Sequence, residues 1–316
     1  MSKQTFESNQ WGLILGGSSG FGLASAKKLA KHGLNLCIVH RDRRGAMRRI
    51  EPEFDRLREE GITLVTFNAD ALSAEKREEI LDGLSEALGG SGKVRVLLHS
   101  IAFGNLKLVG PDAPSSNDAA ERLAAELGIE VERVQEAADQ LFESGVDGVQ
   151  GLATPPHYAE GLYLEPEDLA RTVYAMGTSL LSWTQDLRSR GMFASDARVL
   201  GLTSEGNEVA WKGYAAVSAA KAALEAVSRA IAVEMAHVGI RSNILQAGVT
   251  DTPALRVIPG SEHLRSQARI RNPFKRLTTP EDVADVVYLL SLPEAAWING
   301  DVIRVDGGEK ISGASR

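Results

Sequence analysis

Tyr214 and Lys221 are the residues of this 316-residue chain whose types and spacing point most directly to chemistry. They stand seven positions apart in the segment GYAAVSAAK, which we predict to be helical. Because seven residues make two turns of an α-helix, both side chains are expected on one face. A nearby ammonium favours the phenolate and lowers the pKa of a tyrosine. The pair therefore predicts a phenol that donates to a reacting oxygen.

A glycine-rich turn stands between the first predicted strand and the first predicted helix. Its glycines follow the pattern Gly-(x)3-Gly-x-Gly. Glycine permits a tight turn and lets the backbone approach a pyrophosphate at a helix N-terminus. The turn therefore predicts a dinucleotide site. The contacts that we assign to it are Gly16, Ser18, Ser19, Gly20, Phe21 and Gly22.

Strand and helix patterns alternate along the chain, which indicates βαβ units and a parallel sheet. The predicted strands are 11–16, 34–40, 62–68, 94–100, 197–204, 241–248 and 301–308. The predicted helices are about 21–32, 44–60, 73–88, 167–190 and 279–292, with one more that carries Tyr214 and Lys221 and runs to about His237. This is an α/β fold, a doubly wound, seven-stranded Rossmann-type sheet in a single domain over 1–316.

Residues 111–165 form an acidic insertion in this pattern. They hold twelve acidic residues and two arginines, a net charge of -10, while the whole chain carries -7. We predict two short amphipathic helices, about 117–127 and 130–143, followed by a Gly/Pro loop containing TPPHY. The insertion follows the carboxyl end of a parallel strand, where ligands bind in such sheets. It is either a surface addition without a chemical role or a lid beside the substrate site.

The motifs together resemble the short-chain dehydrogenase/reductase family. HSIAF follows the fourth predicted strand, and the catalytic pair has the spacing Tyr-(x)6-Lys. Both features are similar to the enoyl-acyl-carrier-protein reductase branch. The commoner branch has Tyr-(x)3-Lys, and here the residue four after Tyr214 is Ser218. The resemblance covers about 11–105 and 167–308, and implies a homo-oligomer, a tetramer or a dimer.

The resemblance also implies roles for individual residues. Tyr214 and Lys221 would be catalytic, joined by Ser204, which stands where many bacterial relatives have a second tyrosine. His99 is interpreted as a structural histidine at a strand end. Residues 253–272 would form a loop that covers the substrate. The further cofactor contacts implied are Asp70, Ala71, Ser100, Ile101, Ala102, Lys221, Gly248, Thr250 and Thr252.

The end of the second predicted strand bears on the choice of cofactor. An NAD site usually places an acid there for the ribose 2′-hydroxyl. This chain has HRDRR, in which Arg41, Arg43 and Arg44 suit a 2′-phosphate through charge-assisted hydrogen bonds. NADPH is therefore the expected cofactor, and Asp42 keeps NADH possible.

Composition narrows the class of protein further. A hydrophobic content of 43% and a charged content of 24% are ordinary for a globular chain. A single cysteine, Cys37, allows no disulfide within the chain, which fits a cytoplasmic location. No signal peptide, no membrane span and no metal ion are expected. The acidic insertion argues against binding of nucleic acid.

These observations favour NAD(P)H-dependent reduction of the C2–C3 double bond of an enoyl thioester. The acyl group would be carried by acyl carrier protein or by coenzyme A. Two alternatives stay open: a carbonyl reductase or alcohol dehydrogenase on the same fold, and a cofactor-binding sensor or scaffold without catalysis.

Overall fold

A seven-stranded parallel sheet forms the centre of the computed structural model, which describes residues 5–112, 117–158 and 161–313. The strand order is β3-β2-β1-β4-β5-β6-β7, and the order reverses between β1 and β4. This confirms the predicted Rossmann-type fold. The strands are β1 Gln10–Leu15, β2 Asn35–His40, β3 Leu64–Asn68, β4 Lys93–His99, β5 Phe193–Ser204, β6 Ile240–Ala247 and β7 Val302–Val305.

Eleven α-helices are present in the described part of the chain. They are α1 Gly20–Lys31, α2 Met47–Glu59, α3 Ala74–Leu88, α4 Asp118–Leu127, α5 Val131–Glu143, α6 Pro166–Val173, α7 Ser179–Ser189, α8 Ala215–Glu234, α9 Pro253–Arg256, α10 Ser261–Arg271 and α11 Pro280–Ser291.

The sheet is buried on both faces because its strands are continuous apolar runs. Along β1, Leu13 and Leu15 point into one core and Ile14 into the other. The first core is closed by side chains of α3, α7 and α8, such as Trp183. The second is closed by α1, α2 and α11, such as Phe54. The carboxyl ends of the strands are thereby held at one rigid edge.

Two predicted segments differ from the structure. The helix predicted over 167–190 is interrupted by a π-helical turn at Tyr174–Thr178, where Gly177 meets α8. A Cβ on Gly177 would lie 2.6 Å from the Ala220 carbonyl oxygen, so this close approach requires glycine. The segment 253–272, expected as a loop that covers the substrate, is mainly helical, since it contains α9 and α10. Thr252 caps α9 by accepting a hydrogen bond from the Leu255 amide at 3.2 Å.

The acidic insertion folds as the helical hairpin α4–α5 over a small core of its own. Ala120, Ala124 and Val134 are buried there. Asn117 caps α4 through the Ala120 amide at 3.1 Å and donates to the Ala153 carbonyl at 3.0 Å. Residues 113–116 and 159–160 of the insertion lie outside the described residues.

The insertion contacts two segments near the catalytic residues. Arg269 of α10 donates to both carboxylate oxygens of Asp147 at 2.5 and 2.8 Å. Phe142 packs on His263, with ring centroids 4.9 Å apart. Lys212, two residues before Tyr214, pairs with Asp112 at 2.7 Å.

Candidate active site

The glycine turn is shaped for the backbone to approach a ligand closely. Gly16 has φ 84°, and a Cβ there would lie 2.5 Å from the Ser100 carbonyl oxygen. A Cβ on Gly22 would collide with the Gly16 carbonyl. Ser19 precedes α1 in an extended conformation without capping it through its side chain, and the first turn of α1 holds no acid. The amides of this helix end are therefore suited to a phosphate.

A cleft opens beside this turn along the carboxyl edge of the sheet, and most of the predicted cofactor contacts line it. These are Gly16, Ser18, Ser19, Gly20, Phe21, Arg41, Asp70, Ala71, Ser100, Ile101, Ala102 and Thr252. Gly22 does not line the cleft, but it packs directly against the backbone of Gly16 in the turn. Arg43 and Arg44 lie outside this lining, exposed before α2, so only Arg41 of the three arginines faces the cleft.

Two charged side chains at the end of β2, Arg41 and Asp42, are hydrogen-bonded to neighbouring groups. Arg41 donates to the Asp70 carboxylate at 3.1 Å, and its guanidinium lies 4.6 Å from the centre of the Phe103 ring. Asp42 also lines the cleft; its carboxylate accepts from the buried His40 ring at 3.0 Å, and its amide donates to Asn68. At this end of the cleft, Arg41 therefore lies beside two carboxylates, Asp42 and Asp70, each of which is hydrogen-bonded to another side chain.

Tyr214 and Lys221 face the same pocket, Tyr214 from just before α8 and Lys221 from within it. Tyr214 stands immediately before the helix as its N-cap, with φ -106° and ψ 3°, so the expectation that both residues lie within the helix is wrong. Its ring is 8% exposed, and its hydroxyl lies 3.4 Å from the Ser204 hydroxyl. Lys221 is buried and donates to the Leu202 carbonyl at 2.7 Å.

The pKa of Tyr214 also differs from the one expected from the sequence. Burial raises the pKa of Tyr214, and the hydrogen bond with Ser204 lowers it in part. The expected net lowering by Lys221 is therefore wrong, because burial of the phenol dominates. Burial lowers the pKa of Lys221 to about 8, against the opposing effect of Glu225. The protonated phenol is thus the stable form, ready to donate a hydrogen bond.

Ser204 is held from behind by a polar network at the end of β5. Glu225 accepts from Thr203 at 2.8 Å and from Asn207 at 2.7 Å. Gln246 donates to Asn207 at 3.2 Å and to the Ser204 carbonyl at 3.4 Å. Ser218, at the position of the commoner branch's lysine, donates to the Gly206 carbonyl.

The segment after β6 lines the pocket opposite α8. Gly248, Thr250 and Thr252 all lie in its wall. The Thr250 hydroxyl donates to the Gly248 carbonyl at 2.9 Å. A Cβ on Gly248 would meet the Thr278 hydroxyl and lie 3.0 Å from Glu309, so the turn has no room for a side chain.

The pocket itself has a volume of about 180 Å³ and mostly apolar walls. It joins the cofactor cleft through Phe21, Ser100, Ile101 and Ala102, which line both. Leu255 and Ile258 of the segment expected to cover the substrate line the pocket too. Further walls that the sequence did not indicate come from Leu106, Met176, Leu202, Glu205, Trp211 and Val217. Trp211 was within reach of a sequence argument, since it stands three residues before Tyr214 and packs on its ring at 5.2 Å.

His99 behaves as a structural residue, as predicted. It is 1% exposed, and its Nε2 lies 2.8 Å from the Ser179 hydroxyl. Burial, together with the charge of Lys221, lowers the pKa of His99 to about 3. The imidazole therefore stays neutral behind the pocket.

Among the residues that the structure describes, no group of three or more His, Cys, Asp or Glu side chains is placed to hold a metal ion. In the same residues, every helix is too short or too polar to cross a bilayer.

Several known proteins are similar to this chain in sequence. A tropinone reductase homolog of Arabidopsis thaliana is 26% identical over 96% of this chain and 91% of its own length. Peroxisomal 2,4-dienoyl-CoA reductase of Saccharomyces cerevisiae is 36% identical, but over 29% of this chain and 32% of its own.

Solved structures share the fold over nearly the whole chain. The NAD complex of the Anaplasma phagocytophilum enoyl-(acyl-carrier-protein) reductase has a TM-score of 0.68 at 18% identity, covering 99% of this chain and 98% of that one. The NADP complex of a Burkholderia cenocepacia short chain dehydrogenase has a TM-score of 0.66 at 20% identity, covering 96% and 98%.

The family model described as Enoyl-(Acyl carrier protein) reductase matches residues 129–310, more than half of the chain. This span includes Ser204, Tyr214, Lys221 and the segment after β6. The chain belongs to the short-chain dehydrogenase/reductase family, in its enoyl reductase-like branch, and is an NAD(P)-dependent oxidoreductase.

Proposed function

We propose that this protein reduces the C2–C3 double bond of a 2-enoyl thioester with NADPH. The observation that carries the proposal is a protonated, buried Tyr214 in a mostly apolar pocket that is continuous with the cofactor cleft. An acyl chain suits such walls, and the spacing Tyr-(x)6-Lys with HSIAF accords with the enoyl branch. We also propose that the chain forms a homo-oligomer, as its family resemblance implies.

The residues present fit a nicotinamide dinucleotide. Gly16, Gly20 and Gly22 leave a backbone cradle at the start of α1 that any larger side chain would fill. Arg41 would hold the 2′-phosphate, and Lys221 the nicotinamide ribose hydroxyls. When bound, the cofactor supplies the hydride, and the protein supplies position and electrostatics.

Tyr214 acts on the substrate oxygen in this proposal. Negative charge develops on the thioester oxygen as the β-carbon is reduced, and the Tyr214 hydroxyl donates a hydrogen bond to that oxygen. The enolate then takes a proton at C2 from water, which completes the reduction. Burial strengthens the interaction because little water competes with it. Ser204 orients the phenol by accepting or donating at the second site of its hydroxyl. The Lys221 ammonium, which also lines the pocket, adds positive potential there.

The acidic insertion is proposed as a lid of the substrate pocket. It is tied to α10 by Asp147–Arg269 and to the segment before Tyr214 by Asp112–Lys212. Its net charge of -10 disfavours an acidic carrier protein that approaches over it. A coenzyme A thioester, or a carrier that docks on another face, is the substrate form that we propose.

A second candidate is carbonyl reduction, favoured by the full-length likeness to a tropinone reductase homolog. Tyr214 would then protonate an alkoxide. A panel of crotonyl-CoA and acetoacetyl-CoA, with NADPH oxidation followed at 340 nm, tests the proposal. Faster turnover of crotonyl-CoA supports enoyl reduction. Turnover of acetoacetyl-CoA without turnover of crotonyl-CoA would contradict the proposal and support carbonyl reduction.

A further inference from the structure

An ion cluster of two buried carboxylates and a partly exposed guanidinium joins three distant segments at the wall of the catalytic pocket. Arg271, the last residue of α10, donates through Nη2 to Glu205 at 2.5 Å and to Glu309 at 2.9 Å. Glu205 directly follows Ser204 and lines the pocket. Glu309, in the C-terminal segment after β7, is 2% exposed and accepts through its other oxygen from the Val249 amide at 3.2 Å.

Each segment tied by this cluster carries one part of the site. The Glu205 segment carries Ser204, which lies 3.4 Å from the Tyr214 hydroxyl. The Val249 turn carries Gly248 and Thr250, which line the pocket. We propose that Arg271 is a positioning residue that holds the Ser204 side and the Val249 side of the pocket in register through Glu205 and Glu309.

The charges favour this role over simple stabilisation. Glu205 and Glu309 are both buried and would repel each other without the guanidinium between them. Burial raises the pKa of Glu309, and Arg271 opposes that rise. Since an ion pair of this kind adds little net stability compared with apolar packing, its geometric effect on the two segments is the property to test.

The inference rests on the proposed function only for its choice of substrate. Arg271→Met removes the charge but keeps most of the side-chain volume. We expect kcat with crotonyl-CoA to fall about 10- to 100-fold, because small displacements of catalytic groups reduce rates by such factors. The fluorescence anisotropy of bound NADPH should also fall, since the nicotinamide is held less firmly. This second readout needs no turnover, so it tests the inference even if the enoyl substrate proves wrong.

Control variants separate positioning from folding. Arg276→Gln removes an exposed pair with Asp282 outside the pocket and should leave both readouts unchanged. The triple variant Glu205→Gln, Arg271→Met, Glu309→Gln carries no buried charge and should recover thermal stability if Arg271→Met loses it. Positioning predicts that its kcat stays reduced. A wild-type kcat in either the single or the triple variant would overturn the inference, as would an unchanged anisotropy in a folded Arg271→Met.

Discussion

The hydroxyl oxygens of Ser204 and Tyr214 lie 3.4 Å apart at the meeting point of β5 and α8. Ser204 is fixed by the strand and its polar network, whereas Tyr214 is fixed by its place at the N-cap of α8. Ser204 therefore places a fixed hydroxyl beside the phenol, where a hydrogen bond can orient the Tyr214 hydroxyl, and its small side chain takes up little of the pocket.

Tyr214→Phe tests the role of this hydroxyl. The ring and its packing on Trp211 are kept, and one oxyanion donor is lost. Removal of one such donor typically lowers kcat by about 10²- to 10³-fold. NADPH affinity, measured by fluorescence titration, should change little. Near-native turnover by the variant would show that the phenol is not the donor.

Ser204→Ala should produce a smaller effect than Tyr214→Phe. The phenol would keep its burial but lose the partner that orients it. We expect a decrease of kcat of about fivefold, because one neutral hydrogen bond contributes on the order of 1 kcal/mol. Steady-state kinetics measure it. A larger loss than in Tyr214→Phe would mean that Ser204 contacts the substrate itself.

Cofactor choice is expected to depend on Arg41. Arg41→Ala should raise the Kd of NADPH far more than that of NADH, since only NADPH carries a phosphate that a guanidinium can bind. Arg43→Ala is the matched control, because Arg43 lies outside the cleft lining. Titrations of both cofactors measure the difference. Equal weakening of both cofactors by Arg41→Ala, or a wild-type preference for NADH, would refute the assignment.

The pH dependence should reveal the buried lysine. Burial lowers the pKa of Lys221 from its ordinary value of 10.5 to about 8. As pH rises through about 8, the ammonium loses its proton, so kcat/KM for NADPH should decline above that pH. Stability should change in the opposite sense. Between about pH 8 and 10.5 the unfolded chain holds more protons at this site, so the contribution of Lys221 to the free energy of unfolding rises with pH. A kcat/KM that stays flat up to pH 10 would contradict a buried, catalytically required cation.

His99 predicts a separate effect at acid pH. Its pKa is about 3 in the folded protein and 6.5 ordinarily, so the unfolded chain binds the extra proton between these values. The stability that the neutral imidazole provides is therefore lost as pH falls from 6.5 toward 3. Urea midpoints measured from pH 7 to pH 5 should fall less steeply in His99→Gln than in the wild type. Equal slopes would argue against a buried neutral histidine.

The fold could be predicted from the sequence because its strands are continuous apolar runs, and they alternate with helices whose apolar residues recur with a clear helical period. The ends of the elements depend more on contacts between elements than on the local pattern. β5 begins at Phe193, four residues before its apolar stretch, because pairing with β4 extends it through polar residues. The π-helical turn at Tyr174–Thr178 depends on contact with α8, which no local pattern contains.

The parts of the candidate site that lie in one short segment could be predicted from the sequence. The parts that form only when distant segments come into contact could not. The glycine turn and the Tyr214–Lys221 spacing are both readable in one short segment. The cluster joins Arg271 to Glu205 and Glu309, which are 66 and 38 positions away, and the sequence around these residues does not indicate the contacts. The expected lowering of the Tyr214 pKa is wrong because burial of the phenol raises it, and burial depends on contacts that the local sequence does not show.

Deleting the acidic insertion tests its proposed role as a lid. Replacement of about 112–160 by a short Gly/Ser bridge removes the contact between Asp147 and Arg269 and leaves the cofactor cleft intact. We expect the KM for crotonyl-CoA to change and the Kd of NADPH to stay nearly constant. Asp147→Asn, which weakens only the tie to α10, should change the KM in the same direction by less. Unchanged substrate kinetics in a folded deletion variant would make the insertion a surface addition.

The most direct test of the proposed reaction follows the transferred hydrogen. Crotonyl-CoA and NADPH deuterated at the transferred position are incubated with the protein, and the thioester product is analysed by mass spectrometry and NMR. Enoyl reduction predicts butyryl-CoA with one deuterium at C3. No labelled butyryl-CoA, with acetoacetyl-CoA reduced under the same conditions to a product deuterated at its carbinol carbon, would contradict the account.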